Sequence, residues 1–317
     1  FDARLRRDSE HHLTTPEVHL EELVRQRIEY QQQVEVAHAI AQQRFPDLPS
    51  GSDANLQRQR LRERNAFYNE LSAGLQQKIT ETTGEILATR AMMEHAQFRD
   101  YAILRGFEPG TGFDQVWVKI GPHGEIEHIL IVEAKGPGAK LGNPAKGAQM
   151  SPEWVVRTVQ EMLARNEKLL ERIIKNNARL RGESAGVGER RGPLLGAEAE
   201  QLHQAQVHDV LLRGLTGEIP VSGVVVHSNK AGNDYSIHAA PGANAKTFQY
   251  DPAQLRHQIK LHFDNQEITE LLRAGEALNL RNDQTLAAAI RILQAHTGTP
   301  LTIKEMIGLL NKAFSSR

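Results

Sequence analysis

Two stretches decide the fold: Gly112-Phe113-Asp114-Gln115-Val116-Trp117-Val118 and, a short break later, Ile129-Leu130-Ile131-Val132-Glu133-Ala134-Lys135. Between them Pro122-His123-Gly124-Glu125 reads as a tight turn flanked by β-branched runs, so the two halves form a hairpin. With His123 and Gly124 as the two central loop residues, Pro122 pairs with Glu125, and counting back sets Asp114 opposite Glu133. Lys135 lies two residues further along, on the face of Glu133. Ile129 and Ile131 share that face, while Leu130, Val132 and Ala134 cover the other. A strand apolar on both sides is a central one, covered by other elements above and below. Asp114 likewise shares its face with Val116, Val118 and Ile120.

Carboxylates directly opposed across a hairpin repel each other. At the end of a buried strand they are also partly desolvated, which is costly unless they pair or bind an ion. The plain alternative is a solvated Asp/Glu/Lys cluster at a hairpin end. Two features weigh against it: Glu133-Ala134-Lys135 is the only [DE]-x-K in the chain, and it ends the most hydrophobic strand. The expected use is a metal-holding hydrolase site, and loss of either acid is expected to cost little stability because it relieves repulsion.

The surrounding residues carry a resemblance. Gly84-Glu85 on a helix, Gly112-Phe113-Asp114, Val132-Glu133-Ala134-Lys135-Gly136, then Gln149-Met150-Ser151 with Trp154 resembles the PD-(D/E)xK restriction-endonuclease-like superfamily. It is most similar to the nuclease domains of bacterial polymorphic toxins, over roughly residues 80–230. The resemblance implies an α/β fold with a restriction-endonuclease-like core: helix, three-stranded antiparallel start, helix, further strand. It implies Asp114 and Glu133 as ligands of Mg²⁺ or Mn²⁺, Lys135 as a catalytic lysine, and Glu85 and Gln149 as accessory catalytic residues. The residue before the Asp, nominally Pro in the motif, is Phe113 here, at a position that varies across the superfamily.

A chain of 317 residues can bury a sizeable core. Its net charge of −1 gives no global sign of a nucleic-acid partner, so affinity for DNA has to come from local patches. The absence of cysteine excludes disulfide frameworks, thiolate nucleophiles and Cys-based zinc sites. No stretch is apolar enough to span a membrane, and no signal-peptide pattern opens the chain. Phe1 is not a translation start, which suits a toxin module released from a longer carrier, although a fragment made for study would look the same.

Three parts are expected: a helical N-terminal segment over 1–78, a nuclease core over 79–250 and a helical C-terminal segment over 251–317. In the first, 17–45 and 54–78 form a helical hairpin; the next helix spans about 79–104 with Glu85 in its early part. Val221–His227 supplies a fourth core strand, and Tyr235–His238 a short edge strand. Ser151 caps a helix over about 152–181 with Pro152 at its first position. On it Arg165, Lys168, Arg172, Lys175 and Arg179 recur at helical spacing, a stripe able to track a phosphate backbone or, equally, a solvated face with i, i+4 pairs. Lys140 and Lys146 lie in the glycine-rich loop before it, where no acid falls between Glu133 and Glu153. Taken by itself, Gln149 reads as a solvated loop residue, and Trp154 as packing for the start of its helix. None of the fourteen histidines falls in a recognised ligand spacing; His227 and His238 read as core or edge residues.

The expected function is a metal-dependent DNase of little sequence specificity, an antibacterial toxin effector delivered by a secretion system into the target-cell cytoplasm and paired with an immunity protein. The alternatives are a non-catalytic interaction or adaptor protein on an endonuclease-like core, or a nuclease acting on RNA or in DNA repair or restriction.

Overall fold

The computed structural model describes residues 13–104, 112–142, 147–163, 207, 210–238, 248–263, 291 and 294–295. Two long helices open the chain. Thr15 caps α1 (Pro16–Arg44) by accepting the Val18 N–H, with Pro16 in the first turn. Asp53 caps α2 (Ala54–Glu94), accepting from the Asn55 and Leu56 N–H groups. The two pack as a hairpin whose turn is tied by the Arg64–Asp47 ion pair at 2.7 Å.

α2 runs unbroken through residue 79 and ends at Glu94, so the separate helix expected over 79–104 is the last part of α2 followed by a strand. His95 turns extended at the helix end, and Tyr101–Leu104 becomes β2. An aromatic and aliphatic tetrapeptide of this kind suits a pleated surface, and a partner strand overrides a weak helical pattern.

Among the described residues seven strands form one sheet: β1 (Leu13–Thr14), β2, β3 (Gln115–Ile120), β4 (Ile126–Lys135), β5 (Val221–Ser228) and β6 (Tyr235–His238) in spatial order, with β7 (Phe248–Gln249) also on β5. The neighbours are antiparallel except β4 and β5, which run parallel. That change of direction requires a crossover, and the chain between β4 and β5 supplies helical residues 152–163 (α3) and 210–215 (α4). The sequence expectation of a helix over 152–181 is met through residue 163, and its remainder lies outside the described residues. A further helix, α5 (Pro252–His262), follows β7.

Both faces of the sheet are covered. On one, Val116, Val118, Ile129, Ile131 and Val225 pack against Trp154, Val155 and Val159 of α3 and Leu255 and Ile259 of α5. On the other, Trp117, Leu130, Val132, Val224 and Val226 meet Ala88, Ala91 and Met92 of α2. The chain is therefore an α/β fold around a mixed sheet, with β4 at its centre as its two-faced apolar pattern required.

The hairpin reaches the expected register by another route. Its loop has three residues, not two: Gly121 N–H donates to the Glu125 carbonyl at 2.7 Å, and Gly124 sits at φ 87°. Unbroken pairing from Gly121–Glu125 would set Asp114 opposite Val132, on the face away from Glu133. A bulge intervenes: Ile120 pairs with Ile126 but Lys119 pairs with His128, so Glu127 is the extra residue. The two offsets cancel: Gln115 pairs with Val132, and Asp114, the residue before the ladder begins, is brought into step with Glu133.

Candidate active site

The C-terminal end of β4 is where the helix α2 comes closest to the sheet. A Cβ on Gly84 would lie 2.6 Å from the Gly136 backbone nitrogen, and one on Gly136 would lie 2.3 Å from the Thr80 carbonyl oxygen. Only glycine on both sides permits this approach. It carries Glu85, the next residue of α2, to the end of the sheet that bears Asp114 and Glu133.

Glu133 is almost fully buried, and Lys135 Nζ donates to its Oε1 at 2.6 Å from the same face of β4. Gln149 Nε2 donates to the same oxygen at 2.9 Å. The Gln149 Oε1 in turn accepts the Gly142 N–H at 2.6 Å, and its backbone N–H donates to the Gly142 carbonyl at 3.1 Å. Gln149 is thus a bound site residue, where its own sequence context suggested a solvated loop. Asp114 turns its carboxylate toward β4, where Oδ2 accepts the Ala134 N–H at 2.7 Å.

Burial, and then charge crowding, raises the pKa values of the acids. Burial, then the Glu133 and Glu85 carboxylates, push the Asp114 pKa well above its usual value, against the opposing effects of the Ala134 N–H and the Lys135 ammonium. Asp114 itself lies at the exposed edge of the site, where solvent screens part of this effect. The Glu85 carboxyl is raised to about 7, first by burial and then by Glu81. It is poised between acid and carboxylate at neutral pH.

Could these residues hold a metal? Among the described residues no three His, Cys, Asp or Glu side chains gather into a metal cage, so Glu85 does not join Asp114 and Glu133 in a three-acid cluster. The pair itself suits a hard cation of the Mg²⁺ kind, which uses one or two carboxylates and completes its shell with water and substrate oxygens. Burial first, and then the Glu133 and Glu85 carboxylates, disfavour the charged form of Asp114, and such a cation would offset both. Glu133 Oε1 already serves Lys135 and Gln149, so Asp114 offers the more accessible carboxylate.

The network beneath was not read from the sequence. Gln115, fully buried beside Asp114, donates to the Glu85 carbonyl and the Thr89 hydroxyl at 3.0 Å each and accepts from Trp117 Nε1 at 3.0 Å. A glutamine inside a run of valine and tryptophan was the available signal. Trp154 packs edge-on against Phe113 at 5.4 Å between ring centres, as expected of an anchor for α3.

The structure argues against the expectation that loss of Glu133 is nearly free, since Glu133 pairs with the Lys135 ammonium, whose side chain is only 12% exposed.

Of the basic residues, Lys140 is exposed on the loop after β4. Lys146, Arg165, Lys168, Arg172 and Lys175 lie outside the described residues, as does Arg179. His128 belongs to a separate polar chain, sharing hydrogen bonds with Tyr101 at 3.0 Å and Ser222 at 2.9 Å. Among the described residues no helix is long and apolar enough to cross a membrane.

Comparison with known proteins finds no matching family model, no matching curated protein and no matching solved structure.

Proposed function

We propose that the chain is a metal-dependent phosphodiesterase acting on DNA, with the antiparallel strands β2–β4, the helix α3 and the parallel strand β5 as a restriction-endonuclease-like core. The observation that carries this reading is the gathering of Asp114, Glu133 and Lys135 at the C-terminal end of β4, with Gln149 bonded to Glu133. An acid pair with an ammonium beside it suits a reaction that gathers negative charge on a phosphate.

Asp114 and Glu133 would hold Mg²⁺ or Mn²⁺, which when bound lowers the pKa of water and neutralises charge on the scissile phosphate. Lys135 orients the attacking water or stabilises the crowded phosphorus in the transition state, its Nζ held by Glu133. Glu85, titrating near neutrality, accepts or returns a proton at the edge of the site. Lys140 and Lys146, with the stripe Arg165, Lys168, Arg172 and Lys175, hold the backbone and add little base specificity. A toxin delivered by a secretion system into a competitor's cytoplasm, and neutralised in the producer by an immunity protein, fits such indifference to sequence.

The test is cleavage of plasmid DNA by the purified chain with Mg²⁺ or Mn²⁺, stopped by EDTA and abolished in Asp114→Ala, Glu133→Ala and Lys135→Ala. Wild-type rates in Glu133→Ala would overturn the site, and cleavage of RNA alone would change the substrate. A small co-directional gene downstream, needed for viability, would identify the immunity partner.

A further inference from the structure

The turn that presents Gln149 is strained. Ser151 N–H donates to the Ala148 carbonyl at 2.9 Å, closing a four-residue turn with Gln149 and Met150 at its centre. Met150 holds a φ of 69°, and among the described residues it is the one non-glycine residue at positive φ. A positive φ at the third position alone defines a type II turn, where glycine or asparagine is the usual occupant. The Met150 side chain is buried in the core beside α3, a volume that glycine or asparagine would not fill. A side chain needed inside thus forces an unfavourable backbone on the residue between Gln149 and the α3 cap.

Strain of this kind persists only where neighbouring structure over-determines it. The neighbour is Tyr250, a buried residue that follows β7 and lies 100 positions along the chain. Its hydroxyl donates to the Met150 carbonyl at 2.9 Å, a fully buried bond. Tyr250 stays a protonated donor across the working range, since burial and then the Glu133 carboxylate push its pKa further above 10.

We propose that Tyr250 is a positioning residue of the site, clamping the Ala148–Ser151 turn so that the Gln149 amide stays against Glu133. This rests on the reading of Glu133 and Gln149 as functional residues, and it adds a residue from the far end of the sheet that no motif includes. Tyr250 acts through Met150 on Gln149.

The test has one arm independent of activity. In the full ¹⁵N-labelled chain, the Gln149 side-chain amide pair, assigned by its loss in Gln149→Leu, should exchange slowly with solvent. Tyr250→Phe should speed that exchange by roughly five- to tenfold, the worth of one hydrogen bond, and move both resonances toward free-amide positions. Phe98→Leu, a core truncation on the opposite face of the sheet, should lower thermal stability without moving them. Unchanged Gln149 resonances in Tyr250→Phe, or equal displacement in Phe98→Leu, would overturn the proposal. Should Tyr250→Phe fail to fold, 3-fluorotyrosine placed at 250 makes a stronger donor of the same shape and should slow the exchange; no change there also counts against it.

The second arm is catalytic. Tyr250→Phe and Gln149→Ala should each lower kcat by about tenfold with KM little changed. The double variant should lose no more than the worse single one, because both remove one interaction. Additive losses would show that Tyr250 acts elsewhere. If the wild-type chain cleaves nothing, the nuclease reading fails, and the amide exchange still decides the role of Tyr250.

Discussion

Replacing Glu85 with glutamine should change the pH dependence of stability in a direction the site dictates. Glu85 titrates near 7 in the folded chain against 4.5 for an ordinary glutamate, chiefly through burial and then through Glu81. An acid whose folded pKa is raised binds its proton more tightly folded than unfolded. Below about 4.5 both states are protonated and nothing is lost. Between about 4.5 and 7 the unfolded chain has released the proton while the folded chain keeps it, so stability falls as pH rises; above 7 the loss is complete and constant.

At about 1.4 kcal/mol per pH unit the interval amounts to roughly 3 kcal/mol, and nearer 2 kcal/mol once solvent at the partly exposed side chain is allowed for. Glu85→Gln removes this pH-dependent loss but keeps the residue 85 backbone carbonyl that accepts from Gln115. The variant should therefore match the wild type near pH 4.5 and exceed it by about 2–3 kcal/mol at pH 8. Asp114 adds a loss of the same sign in both proteins, so most of it cancels in the comparison. Urea unfolding in EDTA at several pH values measures the difference directly. A gap between the two proteins that does not vary with pH would refute the assignment of a raised Glu85 carboxyl.

Other outcomes follow from the same geometry. At pH 7.5 without metal, Glu133→Ala should cost about 3–5 kcal/mol by stranding the Lys135 ammonium, whereas Asp114→Asn should be neutral or stabilising; chemical denaturation separates the two. Mg²⁺ should raise the melting temperature of the wild type and leave Asp114→Asn unmoved, as read by differential scanning calorimetry. Gly136→Ala drives a methyl onto the Thr80 carbonyl oxygen. That should cost about 3 kcal/mol, and it should abolish cleavage by lifting α2 and Glu85 from the sheet end.

What could be read in advance was whatever rests on periodicity over a long apolar run. β4 and β5 announced themselves by consecutive branched residues, and the helix after Ser151 by its cap and Pro152. β2 was missed because four residues carry too little pattern to compete with the helical stretch before them, and its pairing with β3 comes from far along the chain. Asp114, Glu133 and Lys135 were legible since period two fixes faces once a register is assumed. The register came out as expected although the loop is one residue longer, because the bulge at Glu127 supplies the compensating residue. Nothing local signalled Tyr250 or the strain at Met150, which exist only where separate parts of the chain meet. The Gln149 contact with Glu133 spans a glycine-rich loop whose path no spacing rule specifies.

The bulge has a consequence for how this hairpin tolerates change in length. Seven steps separate Asp114 from the closing residue Gly121, and eight separate Glu125 from Glu133, so the arms are unequal by one. Hydrophobicity cannot arbitrate between registers here, since Ile129, Leu130, Ile131 and Val132 are buried whichever way each one faces. The slipped hairpin, with Asp114 opposite Val132, would bury the same aliphatic surface and scatter the site across two faces. Glu127, looped out and paired with Lys119 at 3.2 Å, is what separates those two states. Deleting Glu127 should equalise the arms and keep the acids in step, while deleting any one residue of β3 should drive them out of step. The chemistry is thus encoded in arithmetic as well as in side chains: drift in this segment is tolerated when the difference between the arms stays within what one bulge absorbs.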